Sequence, residues 1–181
     1  MGQLLKSCQI YERWVMANFI QGTAKISALS VIDISTRGTH TYIGEGCVID
    51  DFVKIKHVGG AGDIKIGNNV YINSGTVIYS GNGVELADNV LIGPNCSLVP
   101  VNHNFKDKNT PIRLQGFSPS KGGIVIEHDV WLGAGVVVLD GSIIRKGSII
   151  GANALVSGEI PPFSICAGNP CKVIRKRSAD L

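Results

Sequence analysis

Aliphatic residues recur every six positions along most of the chain. They are Ile43, Ile49 and Ile55, then Ile66, Ile72 and Ile78, then Leu86, Ile92 and Leu98, and then Ile126, Leu132, Val138, Ile144, Ile150 and Val156. A small or β-branched residue, such as Cys47 or Thr76, stands two positions before most of them. This period predicts short strands joined by tight turns, with three strands to a coil of about eighteen residues. A β-sandwich would instead show two-residue alternation.

Stacked coils of this kind make an all-β parallel β-helix, which we predict over residues 23–162. Each coil pairs with the coils above and below it, so the aliphatic positions become one continuous core. Residues 23–42 are expected to form a first, irregular coil. Pro161 and Pro162 end the six-residue pattern, which leaves residues 163–181 as a C-terminal tail.

The first 22 residues follow a different pattern. Leu4, Cys8, Tyr11, Val15 and Phe19 are spaced three or four apart, and Gly22 follows them as a stop signal. This spacing predicts an amphipathic helix over residues 1–22. We expect it to cap the open end of the coil stack, where backbone groups would otherwise be unpaired.

The six-residue register is interrupted twice. Residues 57–65 predict a small bulge, whereas residues 103–125 predict a long loop extruded from one corner of a coil. Loops of that length in a compact domain are often functional. His103 stands where this loop begins, and its imidazole has the pKa range of a general base at neutral pH.

Composition narrows the functional classes. The chain has 181 residues, 23 glycines and a formal charge of only +3, and its one cluster of basic residues is Lys172, Arg175, Lys176 and Arg177 at the C-terminal end, so a nucleic-acid interface is not expected. Five cysteines without a C-x-x-C spacing favour a reduced, cytoplasmic setting. No apolar run is long enough to span a bilayer, so no integral membrane segment is predicted, although a location peripheral to the inner membrane stays open.

The C-terminal half carries motifs of a known family. The strings D-V-W-L-G (129–133), I-P-P (160–162) and A-G-N-P (167–170) closely resemble those of the hexapeptide acyltransferases, which include galactoside, maltose, xenobiotic and O-antigen or capsule sugar acetyltransferases. The similarity covers most of residues 43–177. It implies a left-handed β-helix, a homotrimer, and acetyl-CoA bound in clefts between subunits. None of these three features follows from the period alone.

The same resemblance assigns roles to individual residues. His103 matches the family's catalytic histidine. Apart from the resemblance, Asp107 is close enough in sequence to orient it, and a backbone carbonyl of the loop would serve equally well. The cofactor-binding positions are Trp131, Ala134 (through its N–H), Ala152, Ser157, Lys172 and Arg175. The chain departs from the pattern at Gly158, where relatives often carry a lysine, and Lys121 or Lys146 could supply that charge.

Two further predictions concern the residues that bind the acceptor and the absence of a metal site. Tyr71 and Asn73 match positions that line the family's acceptor cleft, although an asparagine at a coil corner can equally serve as a turn former. His40, His57 and His128 are interpreted as structural or solvated residues. Their spacing contains no close histidine pair, so no zinc site is predicted.

Transfer of an acetyl group from acetyl-CoA to a saccharide hydroxyl is therefore the predicted activity, by direct attack without an acyl-enzyme. Two alternatives remain. One is N-acetylation of a nucleotide-linked amino sugar, and the other is a non-catalytic β-helix scaffold. The scaffold does not require a loop histidine, a cleft asparagine and a cationic tail in one chain.

Overall fold

The computed structural model describes residues 18–178, which form three parallel β-sheets wound from successive short strands. Each coil contributes one strand to sheet A, the next to sheet B and the third to sheet C. Sheet A contains β1 (Asn18–Ile20), β4 (Thr41–Ile43), β7 (Ile64–Ile66), β10 (Val84–Leu86), β13 (Ile124–Ile126), β16 (Ser142–Ile144) and β19 (Glu159–Ile160). An all-β parallel β-helix is thereby confirmed.

Sheets B and C repeat the same ladder of neighbours. Sheet B contains β2 (Lys25–Ile26), β5 (Val48–Ile49), β8 (Tyr71–Ile72), β11 (Leu91–Ile92), β14 (Trp131–Leu132), β17 (Ile149–Ile150), β20 (Ser164–Ala167) and β21 (Lys172–Lys176). Sheet C contains β3 (Val31–Ile32), β6 (Lys54–Lys56), β9 (Val77–Tyr79), β12 (Ser97–Val99), β15 (Val137–Leu139) and β18 (Leu155–Val156). A 3₁₀ turn, Ile112–Leu114, lies in the loop between β12 and β13.

The predicted core is confirmed position by position. Every aliphatic residue of the six-residue column is at most 3% exposed, and the small residues two positions before them are buried as well. The turn residue just before such a small residue often has a positive φ, as at Gly75 (73°) and Asn95 (58°). Glycine and asparagine suit these turns because the left-handed conformation costs them least.

The ends of the structure differ from the sequence prediction. Residues 18–20, assigned to the end of a helix, form strand β1 and pair in register with residues 41–43 of β4. The remainder of the predicted helix, residues 1–17, lies outside the described residues. At the other end the coil does not stop at Pro162, because β20 pairs in parallel with β17 and β21 then adds to it antiparallel.

Candidate functional site

Irregular backbone is concentrated at one corner of the β-helix. Short turns separate sheet A from sheet B and sheet B from sheet C, whereas the connections from sheet C back to sheet A vary in length. Both interruptions of the six-residue register fall on this C–A corner: the bulge before β7 and the long loop before β13. The predicted loop spans 103–125, and the connection observed between the two strands is 100–123.

The long loop is an organised structure with two paired legs. The Ser118 N–H donates to the Asn102 carbonyl (2.8 Å), and the Asn104 N–H donates to the Gly116 carbonyl (3.0 Å). At its tip, the Gln115 side-chain amide donates to the carbonyls of Asp107 (2.6 Å) and Thr110 (2.7 Å). The loop therefore holds a defined path instead of hanging freely from the coil.

His103 lies on the outgoing leg of this loop, with its side chain exposed to solvent. It forms an antiparallel bridge with Phe117 on the return leg, and the two rings pack 4.8 Å apart at 34°. Its carbonyl accepts the Ser118 hydroxyl at 2.9 Å. The imidazole is thus held by the opposite leg while its ring stays accessible to a substrate.

Asp107 does not orient His103 in this structure. Its carboxylate accepts the Thr110 hydroxyl (2.7 Å) and the Asn109 N–H (2.8 Å), and these bonds lower the pKa of Asp107. Both oxygens serve the loop's own turn, and within residues 18–178 no hydrogen bond joins this carboxylate to the His103 ring. Of the two orienting groups considered from the sequence, a backbone carbonyl remains as a prediction.

The other described histidines have structural surroundings. His57 places Nδ1 2.8 Å from the Thr39 hydroxyl and Nε2 3.0 Å from the Thr41 hydroxyl, and burial lowers its pKa. His40 packs against aromatic rings, and His128 is exposed in a turn between sheets A and B. These settings agree with the structural or solvated roles that the sequence suggested.

Two predicted site residues lie on the outer face of sheet B. Tyr71 and Trp131 flank Leu91 in register, and the side chains of Tyr71, Trp131 and Leu91 are 39, 47 and 40% exposed, respectively. The same row continues through Val48, Ile149 and Ile165. Sequence reasoning missed this apolar stripe, although its signal was present: each member immediately precedes an inward residue of sheet B.

Three more predicted residues lie at the corner between sheets B and C. Asn73 donates its side-chain amide to the Ile92 carbonyl (2.7 Å), which is the turn-forming role considered for it. Ala134 and Ala152 are exposed, and the Ala134 carbonyl accepts the Asn153 N–H at 2.8 Å. Across residues 18–178, no hydrogen-bond acceptor faces the Ala134 N–H.

Four cations, Lys172, Arg175, Lys176 and Arg177, form the cationic tail, and two of them are bonded to the coil. The Arg177 guanidinium bonds to the Asp129 carboxylate (2.9 Å), and the Lys176 ammonium donates to the Pro162 carbonyl (2.9 Å). Lys172 and Arg175 are exposed on β21, and no acidic side chain within the described range pairs with either. The two cations assigned to phosphate binding are therefore the two that the fold leaves available.

The C–A corner also contains Ser157, Gly158 and one of the two possible replacement lysines. Lys121 ends the return leg of the loop there, whereas Lys146 lies at the A–B corner, 5.9 Å above the Phe163 ring. Of the two lysines, only Lys121 therefore lies at the same corner as Gly158. Where the loop rejoins the coil, an open cleft of about 240 Å³ is lined by Asp63, Lys65, Asn82, Glu85 and several glycines. Sequence reasoning missed this cleft.

The predicted site residues thus lie at two corners of the coil and on sheet B. His103 and Ser157 belong to the C–A corner, while Asn73, Ala134 and Ala152 belong to the B–C corner, with sheet C between them. The described residues contain no cluster of three or more His, Cys, Asp or Glu side chains that could hold a metal ion. Between residues 18 and 178 there is also no helix with the length and hydropathy needed to cross a membrane.

Comparison with known families agrees with the repeat seen in the structure. Residues 123–158 match the family described as bacterial transferase hexapeptide (six repeats). The chain carries the hexapeptide repeat of the bacterial transferases. This segment comprises the β13–β18 coils, directly after the long loop.

Curated relatives resemble a larger part of the chain. The galactoside O-acetyltransferase of Lactococcus lactis is 34% identical over 134 residues, which cover 74% of this chain and 62% of that protein. Across the curated relatives compared, the chain spans between 38 and 62% of their length.

Solved structures share the hexapeptide-repeat fold at lower identity. A point variant of AntD, an N-acyltransferase from Bacillus cereus in complex with dTDP and coenzyme A, has a TM-score of 0.75 at 20% identity, covering 92% of this chain and 89% of that one. The acetyltransferase VCA0836 from Vibrio cholerae, in complex with acetyl-CoA, has a TM-score of 0.62 at 21% identity, with coverage of 98 and 81%.

Proposed function

We propose that this protein is an acetyltransferase that moves the acetyl group of acetyl-CoA to a hydroxyl of a saccharide. The observation that carries the proposal is His103, an exposed imidazole held by its own loop at the largest interruption of the coil. The hexapeptide repeat and the named activity of the Lactococcus lactis relative support the same assignment.

His103 acts as general base in direct transfer. Its imidazole takes the proton of the acceptor hydroxyl as that oxygen attacks the thioester carbonyl, giving a tetrahedral oxyanion. The intermediate collapses with cleavage of the carbon–sulfur bond. The imidazolium then returns its proton to the departing thiolate, so the products are an ester and coenzyme A with the base regenerated.

The free Ala134 N–H is the proposed oxyanion donor, because a preorganised amide stabilises charge that develops during attack. Lys172 and Arg175 are the proposed contacts for the nucleotide phosphates, since exposed cations attract such anions. Trp131, Ala152 and Ser157 complete the donor site. Tyr71 and Asn73 belong to the proposed acceptor cleft.

A complete site is proposed to need more than one chain. The two corners that share the site residues are separated by sheet C, so a neighbouring copy must bring its loop to the B–C corner of this one. The exposed apolar residues of the loop, Phe105, Leu114 and Phe117, and the apolar stripe of sheet B are suited to such contacts. A homotrimer of left-handed β-helices in the cytoplasm, where acetyl-CoA is available, is the arrangement we propose.

Acetyl-CoA turnover tests the proposal. Purified protein is incubated with acetyl-CoA and a panel of sugars, and coenzyme A release is followed with a thiol reagent against blanks without acceptor. We expect acceptor-dependent release that falls by about 10² to 10⁴-fold in His103→Ala, while acetyl-CoA binding persists. His128→Ala is the matched control and should retain activity. Absence of donor binding and of turnover in the wild type would leave the scaffold alternative standing.

The pH dependence of the variant separates O- from N-acetylation. A hydroxyl needs a base at any accessible pH, whereas an amine with a pKa near about 8 loses its proton to solvent as the pH rises. His103→Ala should therefore stay inactive from about pH 7 to 9 on a hydroxyl acceptor. Recovery of its rate over that range, on a nucleotide-linked amino sugar, would favour the N-acetylation alternative.

A further inference from the structure

A buried carboxylate lies below the long loop, in the connection between β15 and β16. Asp140 is only 6% exposed, and among the buried polar residues of the described chain it is the one that carries a charge. The others are serines and threonines, which are inexpensive to bury when hydrogen-bonded. A buried carboxylate is retained only where several donors compensate for lost hydration. Its partners should therefore indicate what it does.

Asp140 accepts three hydrogen bonds that join separate parts of the C–A corner. Its Oδ2 accepts the Lys121 N–H (2.8 Å) and the Asn82 side-chain amide (3.0 Å), and its Oδ1 accepts the Gly123 N–H (2.9 Å). Lys121 and Gly123 end the return leg of the loop, and Asn82 precedes β10. One side chain thus ties the end of the loop to the coils before and after it.

The backbone around this carboxylate is closely packed at two glycines, Gly123 and Gly141. The Gly141 N–H donates to the Gly123 carbonyl at 2.6 Å. A Cβ on Gly123 would lie 2.6 Å from the Gly83 carbonyl oxygen, and one on Gly141 would lie 2.8 Å from the Lys121 Cβ. The end of the return leg is therefore closely packed between the coil corner at Gly83 and the coil corner at Gly141.

This attachment extends to His103 through the paired legs. The return leg presents Phe117 to the His103 ring, and Ser118 bonds to both Asn102 and His103 on the outgoing leg. A shift of the return leg would move these contacts together. Chemistry is sensitive to such shifts, since a displacement of about 1 Å can cost on the order of 10²-fold in rate.

We propose that Asp140 is a positioning residue for His103. It fixes the return leg of the loop, and the return leg in turn fixes the imidazole. The catalytic part of this inference rests on the proposed function of His103. The attachment of the loop by Asp140 does not, so the two can be tested separately.

The test uses Asp140→Asn, which keeps the shape but turns an NH₂ group toward a backbone or side-chain donor. Asp50→Asn is the matched control, because Asp50 is a corner carboxylate outside the loop that accepts the Ser74 hydroxyl and the Asp51 N–H. Limited trypsin digestion with mass spectrometry reports cleavage at Lys106, Lys108, Arg113 and Lys121, all within the loop. Circular dichroism verifies that each variant is folded.

We expect Asp140→Asn to speed cleavage in the loop and to lower kcat by roughly 10- to 100-fold, with the KM for acetyl-CoA changed less than about twofold. Asn82→Ala, which removes one of the three bonds, should act in the same direction but less strongly, and it replaces Asp140→Asn if that variant does not fold. The Asp50→Asn control should match the wild type in both measurements.

Two outcomes would overturn the inference. Unchanged loop cleavage would show that Asp140 does not hold the loop, and faster cleavage with unchanged kcat would show that the attachment does not position His103. If even the wild type lacks transferase activity, the proposed function fails instead. The trypsin measurement would still decide whether Asp140 anchors the loop.

Discussion

Truncation of one core residue is the most direct test that the aliphatic residues of the six-residue column form the core. Leu86 on β10 is 1% exposed and lies in register between Ile66 and Ile126. Leu86→Ala removes three carbons, a transfer loss of about 2.4 kcal/mol at roughly 0.8 per buried methylene. The cavity term brings the expected loss in the free energy of unfolding to about 3–5 kcal/mol, because the rigid coils above and below cannot collapse into the space.

Glu85 supplies the matched control from the same strand. It precedes Leu86, points away from the core and is exposed, so Glu85→Ala should change the unfolding free energy by about 0.5 kcal/mol or less. Urea unfolding followed by circular dichroism measures both variants at one protein concentration. Similar losses for the two variants, or a loss below about 1 kcal/mol for Leu86→Ala, would refute the inward column at this strand.

Two further predictions concern pH and a turn. Burial lowers the pKa of His57 below its ordinary 6.5, so the unfolded chain takes up this proton more readily, and stability should fall as the pH drops from about 7 to 5. His57→Gln should flatten that dependence of Tm. Gly75→Ala should cost more than about 1 kcal/mol, since Gly75 has a φ of +73° and an added Cβ would collide with the Asn95 Oδ1. Gly22→Ala, with open space around it, should be nearly neutral in the same thermal melts.

The central coils could be predicted from the sequence because one physical cause acts on every repeat. Each inward position must be aliphatic, and each tight turn favours glycine or asparagine at the same place. The pairing of Ile124 with Ser142 shows the undistorted eighteen-residue step that the period implies. Longer connections occur only at the C–A corner within the described coils, where insertions leave the inward residues in place.

The ends could not be predicted because the period weakens there. Residues 18–20 lie in a stretch that also fits a helical spacing, and only pairing with β4 decides for a strand. Prolines at 161 and 162 suggested an end to the coil. They occupy a turn between sheets A and B, where a missing N–H donor is tolerated, and β20 continues beyond them.

The candidate site contains residues that local sequence can suggest and residues that only long-range contacts reveal. His103 could be proposed from the sequence because it marks a break in a regular pattern. Asp140 could not, since its three donors come from residues 82, 121 and 123, and no local spacing connects them. Its one local signal was a charged residue followed by glycine between two aliphatic segments, residues 136–139 and 143–144.

The regular repeat explains why the longest irregular connections lie at one corner. Two of the three corners are tight turns that contain a residue with positive φ, often glycine or asparagine, so they offer few positions for reactive side chains. At the C–A corner the connection can lengthen without disturbing the core, and there the chain places an imidazole, a charged cleft and a buried carboxylate. The rigid column of coils then holds the attachment points of the loop. If Asp140 positions His103, the regular core contributes to the chemistry because it holds the two ends of the long loop in place.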